Sequence, residues 1–234
     1  KENLNPRIVV ELKKRYIFFQ HKVRKTITLK KLANDNPYYR DKIMSNKGKY
    51  SVVQFKSKLF LKNGPKVFIE SFNEQLVFLT GTGILSYSNI NNFKNDTITL
   101  NIIRNNLLDI FEINKVVENP VIVLNLLIHK DKIFLSYVNE KEKGCYNTAV
   151  LMGEMNLKKI IFKKIFNPSK CIKKINEYGE FYYLEAGGAL EIFNDDQLLL
   201  STGTFRYRDL AQEEDNVFGK ILLIDFKKKK KKIL

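Results

Sequence analysis

The feature that most constrains this chain is a long succession of short apolar runs, none longer than eight residues, separated by polar turns. From Lys49 onward they read KYSVVQF, SKLFLK, KVFIESF, QLVFLTG, GILSYSNI, TITLNII, VIVLNLLI, KIFLSYV, TAVLMGEM, KIIFKKIF, EFYYLEA, ALEIF, QLLLSTG and KILLIDF. Ile, Val, Leu, Phe and Tyr dominate them, the residues that suit a pleated, half-buried surface. Runs this short and this closely spaced predict an all-β fold. NNLLDIFEIN (residues 105–114) reads either as a short helix or as one more strand.

A unit recurs within this pattern. IESFNEQLVFLTGTGILSYSNI, LIHKDKIFLSYVNEKEKGCYNTAVLMGEMN and EIFNDDQLLLSTGTFRYRDLAQEEDNVFGKILLIDF share one order: strand, tight polar turn, apolar strand, loop, outer strand. The turns are Asn73-Glu74, Lys130-Asp131 and Asn194-Asp195-Asp196. Asn and Asp tolerate positive φ and bond to nearby backbone, which favours hairpins. A spacing on the order of 55–65 residues suits radial repeats. Repeated four-stranded antiparallel units predict a β-propeller, with a β-sandwich as the alternative architecture. The chain supplies three to four such units, so the expected propeller is incomplete, or open with unpaired strand edges.

Residues 6–33 carry the best helical pattern. Pro6 suits a helix start, Ile8, Leu12, Tyr16 and Phe19 recur at three- and four-residue steps, and the opposite face is basic. Such a helix either packs across a domain edge or makes peripheral contact with a membrane surface. NDNPYYRDKIMSNKGK is turn-rich and reads as a linker. The expected organisation is an N-terminal helical segment and linker over 1–45, propeller blades over 46–226, and a solvated lysine-rich tail over 227–234.

Hydrophobic residues make up 44% of the 234, enough for a substantial core. The formal charge is +16. A basic excess suits nucleic acid or anionic surfaces. Here it accompanies a general abundance of Lys, Asn and Ile, and no aromatic-interleaved basic motif is present, so no nucleic-acid partner is expected. His21 and His129 stand far apart, which argues against a His-based zinc site, and His129 reads as a strand-end residue. Two cysteines, Cys145 and Cys171, are too few for a disulfide scaffold.

The chemistry concentrates in residues 185–226. Gly187 and Gly188 allow a sharp turn or a close approach. STGTFRYRDLAQEEDNVFGKIL then makes a long excursion between strands, the kind of loop that carries function. Arg206, Arg208 and Gln212 are candidates to hold carboxylates, Arg offering a planar bidentate fork. The plainer reading of Arg208 and Asp209 is an ion pair within the loop.

This stretch resembles the glucose/sorbosone dehydrogenase family. The residues that carry the likeness are Gly187-Gly188, LLLSTG over 198–203, Arg208-Asp209-Leu210-Ala211-Gln212 and GKILLID over 219–225, about forty residues in the family's motif order. The resemblance implies a six-bladed β-propeller and a quinoprotein sugar dehydrogenase. Such an enzyme uses pyrroloquinoline quinone and calcium, and moves hydride from a sugar to the quinone while a His takes the hydroxyl proton. That His precedes Gly-Gly by two positions, where this chain has Glu185. Thr204 stands where the family has an acid after STG. A glutamate's ordinary pKa near 4.3 makes it a weaker base than His, and a carboxylate beside a trianionic quinone is repelled. Glu185 is therefore the candidate catalytic residue and also the departure that puts catalysis in question. Arg206 or Arg208, with Gln212, Gly187 and Gly188, are the implied quinone-binding residues; no metal ligands follow from the motif. The alternative function is a propeller without catalysis that binds a carbohydrate or protein partner. The resemblance also implies an exported, periplasmic protein, in which Cys145 and Cys171 either pair or remain reduced and buried.

Overall fold

The computed structural model describes residues 26–31, 42–45, 48–51, 55–56, 67–81, 83–112, 123–176, 179–228 and 230–234. Three antiparallel sheets account for most of them. The first contains β1 (Thr26–Lys31), β4 (Phe55–Lys56), β5 (Val67–Phe72), β6 (Gln75–Thr80), β7 (Leu85–Asn89) and β8 (Thr97–Asn105), in the order β4-β1-β8-β7-β6-β5. Between β1 and β4, β2 (Lys42–Ser45) and β3 (Gly48–Ser51) form a separate hairpin. After the helix α1 (Leu107–Glu112), β9 (Val123–His129), β10 (Lys132–Glu142), β11 (Cys145–Glu154) and β13 (Lys163–Phe166) build the second sheet. Two short strands, β12 (Lys159–Ile160) and β14 (Ile172–Lys173), flank β13 in sequence. The third sheet runs β15 (Gly187–Asn194), β16 (Gln197–Thr202), β17 (Ile221–Asp225), β18 (Lys230–Ile233) in simple sequential order.

The repeat read from the sequence is therefore an antiparallel four-strand meander within each of three sheets of seven, five and four described strands, and each meander has its first hairpin at the expected turn. Asn73 and Lys130 hold φ of +54° and +52° at the first two turns. The third is tied by Asp196 N–H donating to Asn194 Oδ1 at 3.1 Å. His129 closes β9 as a strand-end residue.

The second sheet lies between the other two, and its central strands β10 and β11 are buried on both faces. Along β10, Ile133, Leu135 and Tyr137 join the core shared with sheet one. Phe134 and Val138 join the core shared with sheet three. This is the two-residue alternation of a strand, with both faces apolar because both are covered. In β16 the alternation is one-sided: Leu198 and Leu200 are fully buried and Leu199 is not. Each fully buried Leu contributes about 1.5–3 kcal/mol relative to exposure. On the outer side of sheet one, Leu29, Phe78, Ile84, Ile98 and Leu100 form a third cluster.

Four expectations are corrected. Residues 26–31, the end of the expected helix, are strand β1, paired with β8 from Thr26↔Asn101 to Lys30↔Thr97; TITLKK alternates and is β-branched, and the sheet edge supplies its hydrogen bonds. The rest of that helix and SKLFLK lie outside the described residues. KIIFKKIF is not one strand: β12 pairs parallel with β8 in sheet one and β13 pairs with β11 in sheet two. Ile160 and Phe162 are buried, leaving Ile161 exposed at the break. The lysine-rich tail is a fourth strand, β18, paired with β17 from Leu222↔Ile233 to Asp225↔Lys230. Ile233 packs toward the core while lysines cover the edge, a protection against edge-to-edge association. Finally, EFYYLEA is not a strand but ends in a 3-10 turn, Tyr183–Glu185. Phe181 and Tyr183 turn into an aromatic cluster with Tyr146 and Phe205, at ring separations of 4.7–5.4 Å. NNLLDIFEIN resolves as helix α1 over Leu107–Glu112.

Candidate functional site

Glu185 and the 203–206 loop meet because β15 and β16 are antiparallel neighbours, so the entry to β15 faces the exit from β16. Gly187 pairs with Thr202. Three backbone hydrogen bonds zip the two connections together: Gly203 N–H to Ala186 O at 2.7 Å, Phe205 N–H to Glu185 O at 3.1 Å, and Tyr182 N–H to Phe205 O at 3.1 Å. Sheet two pins the same segment from the other side. Thr148 Oγ1 donates to Ala186 O at 2.7 Å and Ser136 Oγ to Gly188 O at 2.5 Å.

The glycines are required by this closeness. A Cβ on Gly203 would stand 1.9 Å from Glu185 O. Gly188, at φ +104°, would bring one within 2.4 Å of Leu124. Gly187 adopts φ +75° against the backbone of Thr202 and Gly203. These positions serve the packing of two chain segments, whatever else they touch.

Arg206 Nε donates to Glu185 Oε1 at 3.0 Å, and both side chains remain about two-fifths exposed. The Arg206 guanidinium also stands 4.8 Å from the centre of the Tyr182 ring, within cation–π range. The Glu185 hydrogen bond, and its charge, hold the guanidinium above its ordinary range. Phe205, fully buried with φ +52°, anchors the loop beneath this pair. Arg208 opens the next 3-10 turn, Arg208–Ala211, and Gln212 caps it. Both side chains are exposed, and no hydrogen bond joins them to Glu185 or Arg206 among the described residues.

The long excursion closes through two polar residues that motif reading overlooked. Thr202 Oγ1 donates to Val217 O at 2.5 Å and accepts from Lys220 N–H at 3.1 Å. Asn216 Nδ2 donates to Leu210 O and to Glu213 Oε2, each at 2.9 Å, while its Oδ1 accepts from Phe218 N–H. Tyr182 was also missed, since its role depends on the turn that replaced the expected strand. Beyond the excursion lies a cavity of about 450 Å³ lined by Lys170, Cys171, Tyr207, Leu210, Asn216 and Phe218 among others. Neither Glu185 nor Arg206 borders it.

A quinone carrying carboxylates needs a free guanidinium fork facing an enclosed space. Among the described residues the donor set does not provide one: Arg206 is partnered by Glu185, and Arg208 and Gln212 point from a separate, exposed turn. The described residues do not fit pyrroloquinoline quinone as a ready cradle, and among them no group of calcium-binding ligands lies beside Glu185 or Arg206. His129, at the far end of sheet two, has Nε2 3.5 Å from Asp195. Lys130 Nζ is 2.6 Å from the same carboxylate, and these two contacts, Lys130 first, hold Asp195 below its ordinary range.

No family model and no curated protein matches the chain. Among solved structures, the likeness is to glucose dehydrogenases. One superposes with a TM-score of 0.48 at 18% identity, covering 67% of this chain and 46% of that one. The soluble aldose sugar dehydrogenase of Escherichia coli, solved in the apo-form, gives a TM-score of 0.48 at 16% identity, covering 69% and 43%. A Thermus protein described as a putative oxidoreductase (glucose dehydrogenase) gives 0.43 at 13%, covering 68% and 42%. The chain thus spans less than half the length of the structures it matches. No helix among the described residues is long and apolar enough to cross a membrane.

Proposed function

We propose that this chain is part of a β-propeller of the quinoprotein sugar dehydrogenase type whose catalytic position has become a binding position. The observation that carries this is the Glu185–Arg206 ion pair. Where the resembling enzymes keep a His, this chain keeps a carboxylate that already accepts a hydrogen bond from the loop arginine. A carboxylate, a guanidinium with unused N–H groups and the neighbouring Tyr182 ring, all partly exposed, are the groups that recognise sugar hydroxyls and the apolar face of a sugar ring. The proposed ligand is therefore a carbohydrate, bound without oxidation. An exported location accords with the disulfide between Cys145 and Cys171.

The Gly187-Gly188 and Ser201-Thr202-Gly203 motif residues favour the second reading, a dehydrogenase in which Glu185 takes the sugar's hydroxyl proton and the 206–212 loop would have to rearrange to hold a quinone. One experiment separates the two. The protein is titrated with pyrroloquinoline quinone and calcium and tested for dye reduction on a panel of aldoses, while aldose binding is followed by nuclear magnetic resonance. The expected result is no quinone-dependent dye reduction, with aldose-induced shifts that Glu185→Ala abolishes. Quinone-dependent reduction overturns the binding reading in favour of the dehydrogenase, and the absence of both signals overturns both.

A further inference from the structure

We propose that Glu142, Cys145 and Cys171 form a redox-gated site for a thiophilic divalent cation such as zinc, closed while the cysteines are oxidised and open when they are reduced. In the structure the cysteines are joined, with Cα atoms 5.4 Å apart. Glu142 Oε1 lies 3.7 Å from Cys171 Sγ, and one donor atom from each of the three residues falls within 4.8 Å of the others. Two thiolates and a carboxylate are three of the ligand types of a tetrahedral zinc site, with the fourth position left for water, and they reach its corners once reduction lets the bonded sulfurs move apart.

The backbone assembles this triad independently of the disulfide. Between Glu140 and Glu142 the pairing of β10 with β11 shifts by one residue, so Glu140 opposes Tyr146 and Glu142 opposes Cys145. Without the extra residue, Lys141 would oppose Cys145 and place an ammonium beside the sulfur. With it, Lys141 turns away and its Nζ donates to Pro168 O and Ser169 O. On the other side, Cys145 pairs with Lys173 and Tyr146 with Ile172, and Lys174 N–H donates to Gly144 O at 2.7 Å. This ladder holds Cys171, immediately before β14, against Cys145 after the sulfur–sulfur bond is gone. Asn147 Nδ2 adds hydrogen bonds to Pro168 O and Lys170 O.

The chemistry balances. A thiol reductant gives two electrons and two protons to the disulfide, becoming a disulfide itself, and leaves Cys145 and Cys171 as thiols. The cation then displaces one proton from each sulfur. Lys170 and Lys173 border the neighbouring cavity with Cys171. Their positive charge offsets the net negative charge of two thiolates and a carboxylate on a divalent ion. Cys145 is buried while Cys171 is partly exposed, so the ion and the reductant enter from the Cys171 side.

The test uses the full chain, reduced and freed of reductant, titrated with zinc and with cobalt as a spectroscopic stand-in. The expected result is one equivalent bound only by the reduced protein, with a thiolate-to-cobalt charge-transfer band. Cys171→Ser loses that band, and Glu142→Gln keeps it but binds more weakly. A band that survives in Cys171→Ser, affinity unchanged in Glu142→Gln, or equal binding by the oxidised protein overturns the proposal. So does loss of the β-sheet circular dichroism spectrum on reduction, since the ladder would then not hold the thiols together.

Discussion

Arg206 donates to Glu185 at 3.0 Å while its own backbone sits at φ +80°, a conformation that L side chains rarely adopt. The ion pair is exposed and screened by water, so it contributes little to stability, whereas the backbone strain is present whatever the side chain does. Arg206→Gly is therefore expected to melt above Arg206→Ala, because both lose the ion pair and only glycine relieves the strain. Paired thermal melts at neutral pH check the order.

The 1.9 Å approach of a Gly203 Cβ to Glu185 O leaves no room for a side chain. Gly203→Ala must break the Gly203–Ala186 hydrogen bond or shift the turn. It is expected to cost about 2–3 kcal/mol in urea unfolding, the usual scale for overpacking. The same substitution should abolish aldose-induced shifts at Tyr182 and Arg206, since Arg206 stands on the displaced loop and Tyr182 N–H is bonded to Phe205 O on it.

Thr202 makes a sharper test of the excursion. Its hydroxyl serves both Val217 O and Lys220 N–H from a buried position. Thr202→Val keeps the shape but strands those groups and is expected to cost about 1–3 kcal/mol, while Thr202→Ser retains the bonds and loses much less. Guanidinium unfolding of the two variants measures the difference.

The strand pattern and its hairpins were legible because they are local: Asn73, Asp131 and Asn194 mark their turns by residue type alone. The strand assignment of EFYYLEA failed because periodicity cannot see that Phe181 and Tyr183 pack on Tyr146 and Phe205, residues distant in sequence. Lys230–Ile233 read as a tail because its sequence is lysine, and only the open edge of β17 makes it a strand. At the candidate site, Glu185 was singled out by its place before Gly-Gly. Its ion-pair partner Arg206 was read only as a candidate quinone-binding arginine beside Arg208, and the pairing depends on a loop path that motif spacing does not encode.

The disulfide closes a loop across 26 positions. On chain-entropy grounds it adds about 3–4 kcal/mol of stability. Reduction should lower the urea midpoint accordingly while the folded baseline persists, because β14 stays paired with β11. Unfolding curves with and without a phosphine reductant show whether the shift has this size.

Glu70 provides a pH-dependent test. Burial is the main cause that raises its pKa above 4.5, with a smaller contribution from Glu191 and an opposing hydrogen bond from the Ser71 backbone. A carboxyl whose folded pKa exceeds its unfolded value binds its proton more tightly when folded. Its contribution to stability is complete at pH below the unfolded value and is lost as pH rises through the folded one. Glu70→Gln cannot ionise, so it should be more stable than the parent at pH 7 and nearly equal to it at pH 3.5. Glu191→Gln removes one cause of the shift, so the gain from Glu70→Gln should shrink in that background. Urea midpoints of the four proteins between pH 3.5 and 7 measure both effects, and a gain at pH 7 that persists unchanged at pH 3.5 would show that Glu70 acts through packing rather than ionisation.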